Sequence, residues 1–194
     1  MAALLIAVTN FGDLAVLLPM VGIIPLWLIG VRFPRAALWW TVAAALCIGS
    51  TAMLKIWFYA CPPFAELRSP SGHTSLSTLV YGGIAVIIAG EGKRWHRQLS
   101  YAAGATLVIA IAVSRVLLQA HNPLETGFGL VIGSAALAVF AREYLAHRPA
   151  VVSLRPLIVA VALLLITLHG HELRAEELLH AIGIYLQIAS LACA

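Results

Sequence analysis

Apolar residues run along this chain in six long blocks, near residues 14–31, 37–60, 74–90, 99–118, 123–141 and 150–169, with short polar connections between them. A bilayer core roughly 30 Å thick takes about 20 mostly apolar residues per helix, and each block approaches that length. In lipid every backbone N–H and C=O must find a partner within its own segment, so the pattern predicts helices rather than open strands. The expected fold is all-α: a polytopic transmembrane helical bundle of six spans. Nothing along the chain reads as a Pro/Ser-rich linker, a low-complexity tract or an internal repeat. Residues 1–194 are therefore expected to form a single domain. The opening run, "MAALLIAVTNFGD", is too short to span and lacks the basic flank of a secretory signal, so it is expected to stay in the mature protein. In the tail, residues 172–194, Glu176, His180, Gly183, Gln187 and Ser190 form a small and polar stripe at helical spacing on an otherwise apolar segment. That stripe fits either a helix lying in the interface or a seventh span.

Composition strengthens the membrane reading. Of 194 residues, 62% are hydrophobic and 10% charged, and the mean hydropathy of +0.97 exceeds that of soluble domains. Cys47, Cys61 and Cys193 are odd in number, far apart and set in or beside apolar segments, so they are expected to serve packing rather than a disulfide framework or a zinc site.

The net charge of +4 says less than the placement of the charges. Connections near 32–36, 91–98 and 142–149 share one side of a six-span bundle. Together with Arg155 they carry eight of the twelve basic residues, the others being Arg32, Arg35, Lys93, Arg94, Arg97, Arg142 and Arg148. Six of the eight acids, Asp13, Glu66, Glu125, Glu172, Glu176 and Glu177, fall on the opposite side. The positive-inside rule makes the basic side cytoplasmic. No nucleic-acid partner is expected from such a distribution, and the sequence does not set the oligomeric state.

Ionisable residues within apolar spans cost about 2.5–3.5 kcal/mol each on insertion scales, which makes them functional candidates. Lys55 interrupts "AMLKIWFYA" and Arg115 interrupts "IAIAVSRVLLQA". Snorkelling to the interface is the structural alternative for both. In "LRSPSGHTS", Ser71 can cap the next span and Gly72 lets a ligand approach. Exposed N–H groups at that helix start would suit a phosphate. An ordinary Pro-Ser-Gly helix start accounts for Pro70 and Ser71, though not for His73 directly after. In "HNPLE", Pro123 suits the first helical position, which puts Asn122 at the cap and Glu125 at the spacing of a capping box. Glu125 also stands four residues after His121, where it can accept a hydrogen bond from the ring and fix its tautomer. The two roles are compatible.

The six-span topology places Lys55, Arg68, Ser71, Gly72, His73, Arg115, His121 and Glu125 at one membrane face. Two cations and a helix N-terminus can hold a dianionic phosphoryl group, while two histidines can divide nucleophilic attack from leaving-group protonation. This composition points to phosphoryl transfer that requires no metal or other cofactor.

Over about residues 50–135 the chain resembles the type 2 phosphatidic acid phosphatase superfamily, membrane relatives of bacterial acid phosphatases and vanadium haloperoxidases. That family's middle motif stands intact as Pro70-Ser71-Gly72-His73. Its last motif, Ser-Arg, five residues, His, three residues, Asp, is matched by Ser114, Arg115, His121 and, with one exchange, Glu125. Its first motif, Lys, six residues, then Arg-Pro, is matched at Lys55 but continues as Pro62-Pro63, so the motif arginine is missing. Arg68 is the candidate substitute, its alternative being a solvated loop residue. The resemblance implies that His121 attacks phosphorus and Glu125 orients it. It likewise implies that His73 protonates the leaving oxygen while Lys55, Ser71, Gly72, Arg115 and Arg68 hold the phosphoryl group. Implied substrates are isoprenyl diphosphates, phosphatidic acid, phosphatidylglycerophosphate and lipid A phosphates. The implied location is a bacterial inner (plasma) membrane, with the site facing the periplasm or cell exterior. A lipid-to-lipid phosphotransferase and a non-catalytic lipid-phosphate binder or transporter are the competing expectations.

Overall fold

A computed structural model describes residues 2–61, 69–91, 94–148, 152–173 and 175–188. Within them the chain forms eight helices: α1 Ala2–Asn10, α2 Leu14–Gly30, α3 Pro34–Ala60, α4 Gly72–Glu91, α5 Arg94–Leu117, α6 Pro123–His147, α7 Arg155–Leu168 and α8 Ala175–Ile188. The all-α expectation holds. Five helical stretches are long and apolar enough to cross a membrane, with α1 and α2 together supplying the first, Ala2–Gly30. The block expected to cross near 150–169 differs. Its helix has only 14 residues, about 21 Å at 1.5 Å per residue, because Pro156 opens it and Gly170, at φ +91°, follows its end. Six full-length spans therefore do not appear among the described residues, and the tail forms α8.

α4 sits at the centre. Most of its side chains are buried, although its first half is rich in serine and threonine. Those hydroxyls are satisfied locally: Thr78 donates to the Thr74 carbonyl at 2.7 Å, Ser77 to the same carbonyl at 3.2 Å, and Thr51 Oγ1 meets Ser75 Oγ at 3.0 Å. Buried polar groups tied off in this way avoid the desolvation penalty of unpaired ones. Small hydroxyl side chains also let a neighbour come close. On α6, Gly129 and Gly133 form a small-xxx-small pair against α4. A Cβ on Gly129 would stand 2.6 Å from the Ser71 carbonyl oxygen, and one on Gly133 2.4 Å from that of Ser75. Backbone contact at this range brings the starts of α4 and α6 side by side, where the Ser71 N–H donates to the Glu125 carbonyl at 3.0 Å.

Larger side chains complete the core around this contact. Trp40 lies edge-on to Phe140 with centroids 5.0 Å apart, and its indole N–H donates to the Val21 carbonyl at 2.9 Å. Near the other ends of the helices Arg35 pairs with Glu143 at 3.1 Å, and the Val152 N–H reaches Glu91 at 3.1 Å. α8 returns to α3, where a Cβ on Gly183 would meet Tyr59 Cβ at 2.5 Å. Cys47 is free and buried, in keeping with a packing role. Cys61, at the end of α3, is disulfide-bonded, which overturns the expectation that it only packs. Cys193 lies outside the described residues.

Candidate active site

The sequence around 120–126 builds one half of the site by helix-start chemistry. α5 ends after Leu117, and Gln119 takes the left-handed conformation at φ +55°, the conformation favoured just beyond a helix end. The Arg115 carbonyl then accepts from the N–H groups of Ala120 at 3.0 Å and His121 at 3.2 Å. The next residue, Asn122, caps α6 by accepting the Glu125 N–H at 2.8 Å, while Glu125 Oε2 accepts the Asn122 N–H at 3.1 Å. This is a complete capping box. The same Oε2 accepts from His121 Nδ1 at 2.9 Å, so the capping and histidine-orienting geometries coexist on one carboxylate. Oε1 is occupied too, by the Ser69 N–H at 3.1 Å. His121 and Glu125 are both buried, and these contacts meet the needs of a carboxylate withdrawn from water. With Nδ1 engaged, Nε2 is the ring nitrogen not held by Glu125.

The start of α4 builds the other half. Ser71 Oγ accepts the Thr74 N–H at 3.4 Å and the Thr74 hydroxyl at 3.0 Å, so Ser71 caps the helix and keeps its own proton to donate. Lys55 reaches this start from α3. A Cβ on Gly72 would lie 3.6 Å from Lys55 Cε, and Lys55 Nζ donates to Ser69 Oγ at 3.3 Å. At 4% exposure, Lys55 does not snorkel to the surface. A buried ammonium beside the positive end of a helix concentrates positive potential in one place, and such a place favours an anion. Tyr59, one turn beyond Lys55, also donates to Ser69 Oγ at 3.3 Å.

His73, the second residue of α4, has its Nε2 3.6 Å from Asp13 Oδ2. Arg115 extends from α5 toward α1 and donates to Thr9 Oγ1 at 3.4 Å. Lys55, Ser71, Gly72, His121 and Glu125 are thus joined through Ser69 and the paired helix starts. His73 is tied to the segment between α1 and α2, and Arg115 to the last turn of α1. Arg68, the candidate substitute for the missing arginine, and Pro62-Pro63 lie outside the described residues.

Two cavities adjoin these groups. One, of about 390 Å³, is lined by Tyr59, Ser69, His121, Glu125, Glu177 and His180. The other, of about 260 Å³, has Lys55 and Gly72 in its wall, together with Leu14, Leu18, Ile48 and Leu178. α8 contributes to both. His180 stands edge-on to Tyr59 with centroids 4.8 Å apart, so His180 and Gly183 of the polar tail stripe face α3. Sequence reasoning missed Asp13, Ser69, Tyr59 and Glu177 as neighbours of the site. Asp13 carries a visible cap signal before an apolar run, but nothing local links it to His73. Among the described residues no group of three or more His, Cys, Asp or Glu is placed to hold a metal ion.

Residues 55–149, close to half of the chain, match the family model described as the PAP2 superfamily. Over that segment the chain is similar to the PAP2 superfamily. The match begins at Lys55, takes in both histidines and ends just beyond α6, so the two paired helix starts are the PAP2 part of this molecule. No curated protein and no solved structure matches the chain. Members of the PAP2 superfamily are phosphatases, which suggests a hydrolase, and the long apolar helices of this chain are compatible with an integral membrane protein.

Proposed function

We propose that this protein is a lipid phosphatase of the PAP2 type. It releases phosphate from a phosphomonoester or diphosphate head group at the extracytoplasmic face of the membrane, through a phosphohistidine and without a metal. The observation that carries the reading is His121. Its Nδ1 is held by Glu125 at 2.9 Å, and its ring lines a cavity connected through Ser69 to the buried Lys55 of α3.

In the first step Nε2 of His121 attacks phosphorus, an N–P bond forms and the P–O bond to the lipid breaks. His73 gives its proton to the departing oxygen. In the second step water attacks phosphorus, the N–P bond breaks, and His73 takes the proton the water loses. Lys55, Arg115, the Ser71 hydroxyl and the N–H groups of the α4 start offset the charge on the phosphoryl oxygens throughout. Glu125 keeps Nδ1 protonated and Nε2 nucleophilic.

The lipid part of the reading is supported by the largely apolar cavity that has Lys55 and Gly72 in its wall, since a substrate with a phosphate and a hydrocarbon chain needs both environments together. The preponderance of basic residues at the opposite helix ends supports the orientation. The test is inorganic phosphate released from a panel of lipid phosphates by the purified protein in detergent, compared with His121→Ala. Wild-type release that disappears in the variant is expected. Undiminished turnover by His121→Ala refutes the mechanism. Labelled phosphate recovered on a second lipid would make the protein a phosphotransferase.

A further inference from the structure

We propose that Asp13 is the positioning residue for His73, so that the proton-transferring histidine, like His121, works with a carboxylate. The inference rests on the phosphatase reading and adds to it a residue from outside the matched segment, 55–149. Asp13 is 6% exposed and stands between α1 and α2. Its two carboxylate oxygens have different partners. Oδ1 accepts the Ala15 N–H at 2.8 Å, capping α2, and the Leu173 N–H at 3.2 Å. Those two bonds fix the carboxylate, and Oδ2 then faces His73 Nε2 at 3.6 Å. Capping needs only one acceptor oxygen, which Asn or Ser also supplies. A full carboxylate, buried beside a histidine, goes beyond that need.

The surrounding contacts hold this approach in place. A Cβ on Gly12 would lie 3.4 Å from His73 Cβ and 2.8 Å from Ile111 Cγ2, so the segment packs directly against the base of the His73 side chain. The Tyr81 hydroxyl donates to the Phe11 carbonyl at 2.6 Å, pinning the same segment to α4. Arg115 reaches the adjoining last turn of α1 at Thr9. At 3.6 Å the Asp13 contact exceeds hydrogen-bond range and acts through charge. A fixed anion beside His73 orients the ring and stabilises it while it carries the proton between water and the leaving oxygen.

The test compares an alkyl lipid phosphate, whose leaving oxygen needs a proton, with 4-nitrophenyl phosphate, whose leaving group departs without one. Asp13→Asn keeps the cap acceptor and removes the charge, and Asp13→Ser is a second uncharged capping variant should the first fold poorly. We expect kcat on the alkyl substrate to fall about 10- to 100-fold, a part of the general-acid contribution, while the rate of the first burst of 4-nitrophenolate, which needs no acid, stays within about twofold of wild type. In a His73→Gln background the same substitution should then have no further effect. An equal loss in the nitrophenolate burst, an unchanged alkyl rate, or a full additional loss in the His73→Gln background would each overturn the role. A wild type that turns over neither substrate overturns the phosphatase reading itself, and this role with it.

Discussion

Two histidines in this molecule each face a carboxylate, and the pairs are built in opposite ways. His121 and Glu125 lie four residues apart on one helix start, meet at 2.9 Å and are locked by the capping box that begins α6. His73 and Asp13 come from segments sixty positions apart, stand 3.6 Å from each other and depend on tertiary packing between the α1–α2 segment and α4. The local pair is rigid because the helix cap and the ring share one carboxylate oxygen. The distant pair is looser, and its histidine is more exposed, 18% against 5% for the side chains. In the proposed mechanism this difference is useful: a nucleophile must be aimed at one atom, whereas a proton carrier must serve the leaving oxygen and then water.

The largest effect that sharpens the contrast is His121→Ala, which removes the nucleophile and should lower phosphate release to background on every substrate. Glu125→Gln comes next. Glutamine can still complete a capping box, so the melting temperature should change by a few degrees at most while kcat falls about 10- to 100-fold, as the charge on the His121 partner is lost. Comparable melting loss in Glu125→Gln and Glu125→Ala, with activity retained in the first, would reduce Glu125 to a cap. Gly133→Leu attacks the platform that both pairs share. Its Cβ cannot occupy a point 2.4 Å from the Ser75 carbonyl oxygen, so α4 and α6 must separate, and thermal unfolding should show a loss of about 1–3 kcal/mol together with reduced kcat. The smallest effect is expected for Gly183→Ala, which presses α8 against Tyr59. It should raise KM a few-fold without altering kcat, because α8 lines the cavities and carries neither histidine.

The contrast also explains what was legible in the sequence. Five long helical stretches followed from block length alone, and the Asn122, Glu125 and His121 arrangement followed from spacing along one helix start. Ser71 capping α4 was readable for the same reason. Asp13 was not, because a cap signal before an apolar run carries no information about which helix lies opposite. Ser69 and Tyr59 were hidden likewise, as Ser69 meets Lys55, Tyr59 and Glu125 only in the packed bundle. The short α7 departed from its apolar block since Pro156 and Gly170 limit the helix inside it. His180 and Gly183 were recognised as an odd stripe, but a stripe does not name its partner, and α3 supplies it.

The central claim is that the two pairs divide the reaction, with His121 taking the phosphoryl group and His73 moving the proton. Acid-labile, base-stable phosphate bound to the protein, located by peptide mapping after a rapid quench with labelled 4-nitrophenyl phosphate, tests this most directly. The account predicts label at His121 that accumulates in His73→Ala, where departure needs no acid but water attack lacks its base, and that is absent in His121→Ala. Label at His73, or turnover with no phosphoenzyme in the His73→Ala protein, would contradict it.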